Sequence, residues 1–309
     1  MRAMHVVQSA EGPGLKEGSA VQPVPGAGEV LIRVCAAGVT TTELLWYPTS
    51  HNTDGGARVG AVPGHEFSGV VAGAGDNAGR VEIGQDVFGM NDWFVDGALA
   101  EFCIAPLSSV APKPAKLSHV DAASAPIGAL TAWQGLFDHA KLQSGERVLV
   151  HGGAGAVGVF AIQLAKLHGA QVIATASAGN LDFIASLGAE KVIDYKASRF
   201  EDNVNDVDVV FDTVGGDTLE RSWGVLGPRG RVVTIVSSAE NSNDERVKKA
   251  FFIMEPNRKQ LTEVAEMLET GRMRTVVDTV IPLSQAAEAF AGRIKRSGRG
   301  KIVVEVGCG

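Results

Sequence analysis

RVLVHGGAGAVG, residues Arg147–Gly158, carries the strongest fold signal in this chain. The apolar run Val148–Val150 predicts a strand, and the apolar periodicity after Gly158 predicts a helix. Between them the glycines read G-x-G-x-x-G, which in this context indicates a dinucleotide-binding turn. The glycines permit the tight turn, the approach of backbone to a pyrophosphate, and close packing of helix on strand. The predicted cofactor contacts are Gly153, Ala154, Gly155, Ala156, Val157 and Gly158.

Outward from this turn, strands and helices alternate after Gly145. Strands are predicted at Arg147–His151, Gln171–Ser177, Lys191–Ile193, Val207–Asp212 and Arg231–Val236. Helices are predicted at Ala156–His168, Leu181–Leu187 and Asp217–Leu226, with Gly169, Gly188 and Gly227 at the positions where helices end. This alternation predicts an α/β domain built on a doubly wound parallel sheet.

Residues 1–118 have a different pattern. Short apolar runs such as Glu29–Val34 and Gly69–Ala74 are separated by turn signals such as Pro63-Gly64 and Asp96-Gly97. This pattern predicts an antiparallel, barrel-like β domain. The tail, with a helix at Arg258–Glu269 and a last strand at Lys301–Val306, is assigned back to it. The predicted domains are therefore 1–118 with 257–309, and 119–256.

Composition narrows the function classes. The chain has 309 residues, and its 45% of hydrophobic residues is ordinary for a globular enzyme. Its formal net charge of −7 argues against a surface that binds nucleic acid or an anionic membrane. No apolar run approaches the ~20 residues that span a bilayer, and the N-terminus lacks a secretory core. A cytoplasmic location is therefore expected. Three cysteines are too few for a disulfide framework, and Cys35 and Cys103 are expected to be buried and unreactive.

Several motifs carry a family resemblance. They are Gly38-Val39, PGHEFSG at Pro63–Gly69, GALAEF at Gly97–Phe102, Thr131-Ala132-Trp133, Gly152–Gly158, Gly188-Ala189 and GKIV at Gly300–Val303. Because these motifs occur in this order and at this spacing, the chain resembles the zinc-free, quinone oxidoreductase-like branch of the medium-chain dehydrogenase/reductase superfamily. The resemblance implies a GroES-like β domain plus a Rossmann domain, a nicotinamide cofactor and a homodimer.

The zinc ligands of related alcohol dehydrogenases are mostly missing. The resemblance places a zinc-binding cysteine at Thr40, a histidine at His65 and a further ligand near Ile127. Catalytic zinc needs three protein ligands, and only His65 and Glu66 remain. No metal ligand is therefore predicted, and His65 is interpreted as a hydrogen-bonded structural residue. The alternative is a weak His/Glu metal site.

The residues after the second predicted strand favour NADPH. An NAD-specific site carries an acidic residue about 20 residues beyond the glycine turn, and Ala176–Asn180 are all neutral. The lysine or arginine that NADPH-binding relatives often place here is also missing, but Ser177 and Asn180 could donate hydrogen bonds. The resemblance puts Tyr195 near a 2′-phosphate, although it also fits a half-buried strand-end aromatic. Further predicted cofactor contacts are Val236, Phe252 and Lys301, the last of which could equally be a solvated lysine.

The predicted reacting centre suits a hydride acceptor that needs only to be oriented over the nicotinamide and to receive one hydrogen bond. The catalytic candidates are Thr40, Glu43, Tyr47 and Thr131, and the apolar wall of the substrate pocket is assigned to Trp46, Trp93 and Phe94. The favoured hypothesis is NADPH-dependent, zinc-independent reduction of quinones or α,β-unsaturated carbonyls. The alternatives are a zinc-type alcohol dehydrogenase and an NADPH-binding protein with little turnover.

Overall fold

A computed structural model describes residues 1–10, 12–79 and 81–308. The chain forms two compact units. The first comprises Met1–Pro126, Pro256–Ser297 and Lys301–Gly309, and the second comprises Ile127–Glu255 and Gly298–Gly300. The sequence analysis assigned 119–126 and Pro256 to the second unit and 298–300 to the first, so these residues change unit. Residues His119–Ala123 belong to the first unit because they form a helix that packs on its sheet, and Gly300 belongs to the second because it pairs with Gly155.

The second unit is built on a five-stranded parallel sheet. Its strands are β8 (Arg147–Val150), β9 (Gln171–Ala176), β10 (Lys191–Asp194), β11 (Val207–Asp212) and β12 (Leu226–Thr234), in the order β10-β9-β8-β11-β12. Its helices are α3 (Pro126–Trp133, which begins at the last residue of the first unit), α4 (Gly158–Leu167), α5 (Leu181–Ser186), α6 (Gly216–Ser222) and α7 (Glu245–Ala250). The order reverses between β8 and β11, which is the switch point where parallel sheets of this type bind ligands.

The helix predicted at Asp217–Leu226 is an α-helix to Ser222 and continues as a 3-10 helix over Trp223–Val225. The prediction for the next strand was wrong in its bounds, because the strand expected at Arg231–Val236 spans Leu226–Thr234. Between Leu226, opposite Val207, and Arg231, opposite Val209, the register shifts. The sequence Gly227-Pro228-Arg229-Gly230 forms this irregularity, since glycine and proline are tolerated where ladder pairing is interrupted. Gly227 therefore lies in a strand and does not end a helix.

A π-helix, Gln134–His139, follows α3. The sequence predicted one amphipathic helix over 127–140, and the widened turn is the difference. Gly135 lies in it, and a Cβ there would approach the rings of Phe211 and Phe252. The wider turn thus lets the helix backbone pass close to two aromatic rings that a side chain would displace.

The first unit has a seven-stranded sheet. Its members are β3 (Glu29–Gly38), β4 (Glu66–Ala74), β5 (Asp86–Met90), β6 (Phe102–Pro106), β7 (Val110–Pro112), β13 (Val277–Pro282) and β14 (Lys301–Glu305). A hairpin of β1 (Arg2–Ser9) and β2 (Gly12–Ser19) forms a separate sheet, and the helices are α1 (Tyr47–Ser50), α2 (His119–Ala123), α8 (Arg258–Glu269) and α9 (Ala286–Phe290). All pairs are antiparallel except β13 with β14. The prediction of a largely antiparallel β domain that includes the tail is confirmed.

Buried apolar side chains from both ends of the chain fill the core of the first unit. Val30, Ile32 and Val34 on β3 pack in the same cluster as Ile302 and Val304 on β14. The last strand therefore completes the sheet that the first hundred residues begin. Within residues 1–10, 12–79 and 81–308, no helix combines the length and the apolar character needed to cross a bilayer.

Candidate active site

The glycine turn lies between β8 and α4. Gly152 has φ +73°, a conformation that glycine adopts without the strain of a side chain. A Cβ on Gly153 would lie 3.0 Å from Ile162 Cδ1 and 3.2 Å from Ala174 Cβ, and one on Gly158 would overlap the backbone of Gly152. Gly153 and Gly158 therefore allow close packing inside the turn. These contacts fit a dinucleotide, because a tight turn that opens into a helix presents its backbone N–H groups to phosphates.

The backbone at Ala154 and Gly155 meets a segment from the far end of the chain. The Gly300 N–H donates to the carbonyl of Ala154 at 2.8 Å, and Gly155 and Gly300 form a parallel bridge. This contact brings the neighbouring residue, Arg299, to the carboxyl end of β9.

Arg299 supplies the cation that the local sequence lacks. Its Nε donates to Asn180 Oδ1 at 2.8 Å, its Nη2 donates to the Gly179 carbonyl at 2.8 Å, and its guanidinium lies over the Phe183 ring, 4.9 Å from the centroid. Asn180 Nδ2 also faces Ser177 Oγ at 3.4 Å. The sequence analysis missed Arg299 because it searched the residues around β9, and Arg299 is 119 residues beyond Asn180.

A cavity of about 900 Å³ lies beside β9 and β10 in the second unit. Its lining includes Tyr195, Lys196, Arg199, His151 and Arg221, together with Asp217, which is paired with Arg221. Tyr195 is 57% exposed, so the half-buried aromatic interpretation does not describe it, and Lys196 Nζ lies 5.9 Å from its ring centroid. The cavity thus combines an aromatic face with basic side chains, a composition suited to a phosphorylated nucleoside.

His151 lies at the bottom of this cavity and is buried. Its Nδ1 is 3.2 Å from Thr175 Oγ1 and its Nε2 is 3.0 Å from Ser222 Oγ. Burial lowers the pKa of His151 from 6.5 to about 4, even though the negative charge of Asp212 acts to raise it. The imidazole is therefore neutral at physiological pH and links β8, β9 and α6 by hydrogen bonds.

Glu43 and His65 form a buried pair in the first unit. Glu43 Oε1 accepts from the Gly64 N–H and faces His65 Nδ1, both at 2.6 Å, while His65 Nε2 lies 3.2 Å from the Val95 carbonyl. Glu43 Oε2 is buried with no hydrogen-bond partner among the described residues. Both ring nitrogens of His65 face acceptors, so the prediction of a hydrogen-bonded histidine is confirmed. Glu43 holds the turn that precedes β4.

Thr40 lies beside a second buried pair, Glu66 and Lys301. The Lys301 ammonium, 3% exposed, contacts Glu66 Oε1 and donates to Thr40 Oγ1 at 3.3 Å. Lys301 is therefore not the solvated lysine that the sequence allowed, and Thr40 and Glu66, which it contacts, belong to the first unit. Because Lys301 donates to the Thr40 oxygen, the threonine hydrogen stays available for another acceptor.

The predicted aromatic wall is assembled in part. The rings of Trp46 and Trp93 meet edge to face at 5.4 Å, and Trp93 lies 5.5 Å from His65. Tyr47 is 56% exposed and stacks on His51 at 4.4 Å. Phe94 follows Trp93 in the same turn and is half-buried. Two tryptophans thus form an apolar surface next to the Glu43–His65 pair.

Comparison with known proteins identifies the family. Residues 26–115 match the alcohol dehydrogenase GroES-like domain, and residues 187–304 match the zinc-binding dehydrogenase domain. A probable zinc-binding oxidoreductase, mitochondrial, of Arthroderma benhamiae is 35% identical over 298 residues, covering 90% of this chain and 88% of that protein. The quinone oxidoreductase of Coxiella burnetii superposes with a TM-score of 0.87 at 28% identity, covering 99% of each chain. A mycobacterial protein complexed with NADPH superposes with a TM-score of 0.80 at 27% identity, covering 98% of this chain and 100% of that one.

The chain belongs to the medium-chain dehydrogenase/reductase superfamily. It is an oxidoreductase, and this superfamily uses a nicotinamide cofactor. The resemblance stated from the sequence motifs is therefore confirmed, as is the combination of a GroES-like unit and a Rossmann unit.

Two of the predicted cofactor contacts, Phe252 and Val236, and the predicted catalytic residue Thr131 lie inside the second unit. Thr131 is in α3 and 5% exposed. Phe252 is 6% exposed and its ring stacks on His139 at 4.3 Å, so its described contacts are packing contacts. Val236 follows β12, and a Cβ on Gly215 would come too close to its side chain. Of these three, Val236 is the most open to a ligand, being half-buried at the carboxyl edge of the sheet.

The donors at the position of the superfamily's catalytic zinc do not fit that ion. Thr40 replaces a thiolate, His65 is engaged by Glu43 and Val95, and Glu66 is engaged by Lys301. Near His65, the described part of the chain does not bring together three His, Cys, Asp or Glu ligand atoms at metal-binding spacing. Catalytic zinc requires three such ligands and an open position.

The cysteine predictions are half right. Cys103 is buried, and burial raises the pKa of its thiol to about 12, which confirms an unreactive residue. Cys35 is buried, as expected, but its sulfur is bonded to that of Cys308, a pairing that the sequence analysis did not predict. No local motif indicates this pair, because 273 residues separate its members along the chain.

Proposed function

We propose that this oxidoreductase is NADPH-dependent and zinc-independent, and that it reduces quinones or α,β-unsaturated carbonyls. The observation that carries the proposal is Arg299, whose guanidinium is fixed on Asn180 and Gly179 at the carboxyl end of β9. That end carries no acidic residue between Ala176 and Asn180, so nothing there repels a phosphate.

The geometry supports a binding role for each group near β9. Arg299 uses Nε and Nη2 on protein acceptors, and its planar fork has further N–H donors for a phosphate. Tyr195 is exposed beside Lys196 and offers both a ring face and a phenol. The 2′-phosphate of NADPH would therefore meet two cations, whereas NADH would leave their charge uncompensated.

The first unit contains groups that orient and polarise an acceptor. When bound, NADPH supplies a hydride from the nicotinamide ring. Thr40 would donate its hydroxyl hydrogen to the oxygen of the acceptor, because its own oxygen is already held by Lys301. Glu43 fixes His65 and the following turn, and Trp46 and Trp93 provide an apolar surface for a flat conjugated ring. A quinone or an enone accepts hydride without a Lewis acid, which agrees with donors that do not fit zinc.

The test compares NADPH and NADH oxidation with a small quinone and a short enal, with and without EDTA. We expect turnover that prefers NADPH and that EDTA leaves unchanged. Arg299→Gln should raise KM for NADPH about 10- to 100-fold, because a charge-assisted hydrogen bond contributes about 1.5–3 kcal/mol, and should leave KM for NADH nearly unchanged. Arg293→Gln, at an exposed arginine of the first unit, is the matched control.

Three results would contradict the proposal. Equal use of NADH and NADPH would remove the assigned role of Arg299. Loss of turnover in EDTA would favour a zinc-type alcohol dehydrogenase. Tight NADPH binding without turnover on either acceptor class would favour a binding protein.

A further inference from the structure

A cluster of three potential metal ligands lies in the first unit, apart from the Glu43–His65 pair. Cys35 is on β3, Cys308 is in the segment after β14, and His119 begins α2. The two sulfurs and one ring nitrogen of His119 all lie within 4.8 Å of one another. Cys35 and Cys308 form a disulfide, with a Cα–Cα distance of 4.7 Å. The same three side chains therefore have two possible states, one oxidised and one reduced.

The reduced state stays assembled because backbone contacts hold the tail in place. The N–H groups of Val306 and Gly307 both donate to the Cys35 carbonyl, at 2.9 and 3.2 Å. The Arg33 guanidinium donates to the Cys308 carbonyl from the same strand as Cys35. Breaking the sulfur–sulfur bond therefore leaves the two thiols facing each other instead of releasing the tail. Two adjacent thiols on a fixed backbone form a preorganised ligand pair.

His119 is prepared to act as the third ligand. Ser68 Oγ donates its one hydrogen to the Val87 carbonyl at 2.9 Å, so it accepts from His119 Nδ1 at 2.8 Å. This hydrogen bond places the ring proton on Nδ1 and leaves the lone pair on Nε2, the arrangement that orients metal-binding histidines. The Asp86 carboxylate lies beside this ring, with Oδ1 3.6 Å from His119 Nε2, and its Oδ2 lies 3.6 Å from Lys113 Nζ.

We propose that reduced Cys35 and Cys308, together with His119, bind one Zn²⁺ ion, with a fourth position left for water. Thiolates and imidazole are the ligands that Zn²⁺ prefers, and three protein ligands with one open position is an established zinc arrangement. Binding displaces two thiol protons. Oxidation by a disulfide such as glutathione disulfide forms the Cys35–Cys308 bond and breaks the glutathione sulfur–sulfur bond. Two electrons pass from the two cysteine thiolates to two glutathione thiolates, which take their protons from solvent, and both sulfur ligands of the ion are lost. The ion is then released, so the cluster reports the thiol–disulfide balance of its surroundings.

The experiment uses the full chain, reduced with a phosphine and freed of metal, and titrates it with Co²⁺. Thiolate coordination gives Co²⁺ a sulfur-to-metal charge-transfer band, and Zn²⁺ added afterwards should displace it. We expect one equivalent to bind. Cys308→Ser and His119→Gln should each weaken binding by more than about 100-fold, since loss of even an outer-shell partner costs 10- to 100-fold. Cys103→Ser, at the buried cysteine outside the cluster, is the matched control and should bind as the wild type does.

Three results would overturn the zinc proposal. Absence of the charge-transfer band in the reduced wild type would overturn it, as would a Cys308→Ser variant that binds Co²⁺ with unchanged affinity. Protein oxidised with glutathione disulfide should bind no Co²⁺, and binding there would show that the sulfurs are not the ligands. Because Cys308 is partly exposed and lies outside the buried core cluster of the first unit, its substitution should leave that core intact, and circular dichroism checks this. The readout is metal binding, so a failure leaves the reductase proposal untouched.

Discussion

At the scale of single residues, His151 shows how burial sets both a protonation state and a pH range for stability. The unfolded chain binds a proton at His151 near pH 6.5, whereas the folded chain does so only near pH 4. Between these values the unfolded state holds more protons, so the free energy of unfolding falls as the pH falls. We expect a loss of about 3 kcal/mol across this range, since each pKa unit corresponds to about 1.4 kcal/mol.

Denaturant midpoints measured between about pH 7 and about pH 4 test this expectation. His151→Gln keeps a polar side chain but cannot titrate, so its midpoint should depend less steeply on pH than that of the wild type. His168→Gln, at an exposed histidine of the same unit, should keep the full slope. Equal slopes for the wild type and His151→Gln would refute the assignment.

The residues that sequence analysis found differ from those that it missed in how far their partners lie along the chain. Glu43 and His65 were found through local motifs, because each motif fixes the residue within a few positions. Arg299 and Cys308 were missed, because their partners, Asn180 and Cys35, lie 119 and 273 residues away along the chain. One sequence carries no record of which distant segments a fold brings together. A basic residue just before the G-K motif was a possible signal for Arg299.

At the scale of elements, periodicity predicted most of the helices and strands. α8 spans the predicted Arg258–Glu269, and β11 spans the predicted Val207–Asp212. The errors cluster where tertiary contacts override local preference, as in the π-helix that places Gly135 against Phe211 and Phe252. The irregular part of β12 is a second such error, because its Gly-Pro sequence locally predicts the end of a helix.

The turn between β8 and α4 makes an element-scale prediction. Gly158→Ala would push a Cβ into the Gly152 carbonyl and to 2.8 Å from Gly153 Cα. Backbone cannot move aside as a flexible side chain can, so we expect a stability loss of about 1–3 kcal/mol and weaker NADPH binding. Denaturant unfolding and a fluorescence titration with NADPH measure the two effects.

Gly224→Ala is the control, because a Cβ there meets no atom within 4 Å. It should leave both the unfolding midpoint and the NADPH affinity close to wild type. A Gly158→Ala variant that is as stable as Gly224→Ala and binds NADPH equally well would show that the turn relaxes, and would remove its assigned role in shaping the cofactor site.

At the scale of the whole molecule, the edges of the parallel sheet bear on assembly. β10 and β12 are the two edge strands. β10 has four residues and carries Lys191 and Asp194 at its ends, whereas β12 has nine residues and ends in Arg231–Thr234, which pair regularly with β11. The Thr234 carbonyl already accepts from the Phe252 N–H, so the part of β12 that a second copy can pair with precedes Thr234. A short edge with charged residues, such as β10, discourages such pairing.

We therefore predict a homodimer formed by β12 of one chain pairing with β12 of another around a two-fold axis, as the family resemblance also implies. Light scattering after size exclusion should give twice the chain mass of 32.2 kDa. Amide hydrogen exchange should be slow in β12 and fast in β10, which serves as the internal control within the same sheet. On dilution to monomer, the protection of β12 amides should fall to the level of β10, because the monomer lacks the pairing of β12 with the second chain. A monomeric mass, or a dimer in which β12 exchanges as fast as β10, would rule out this edge as the interface.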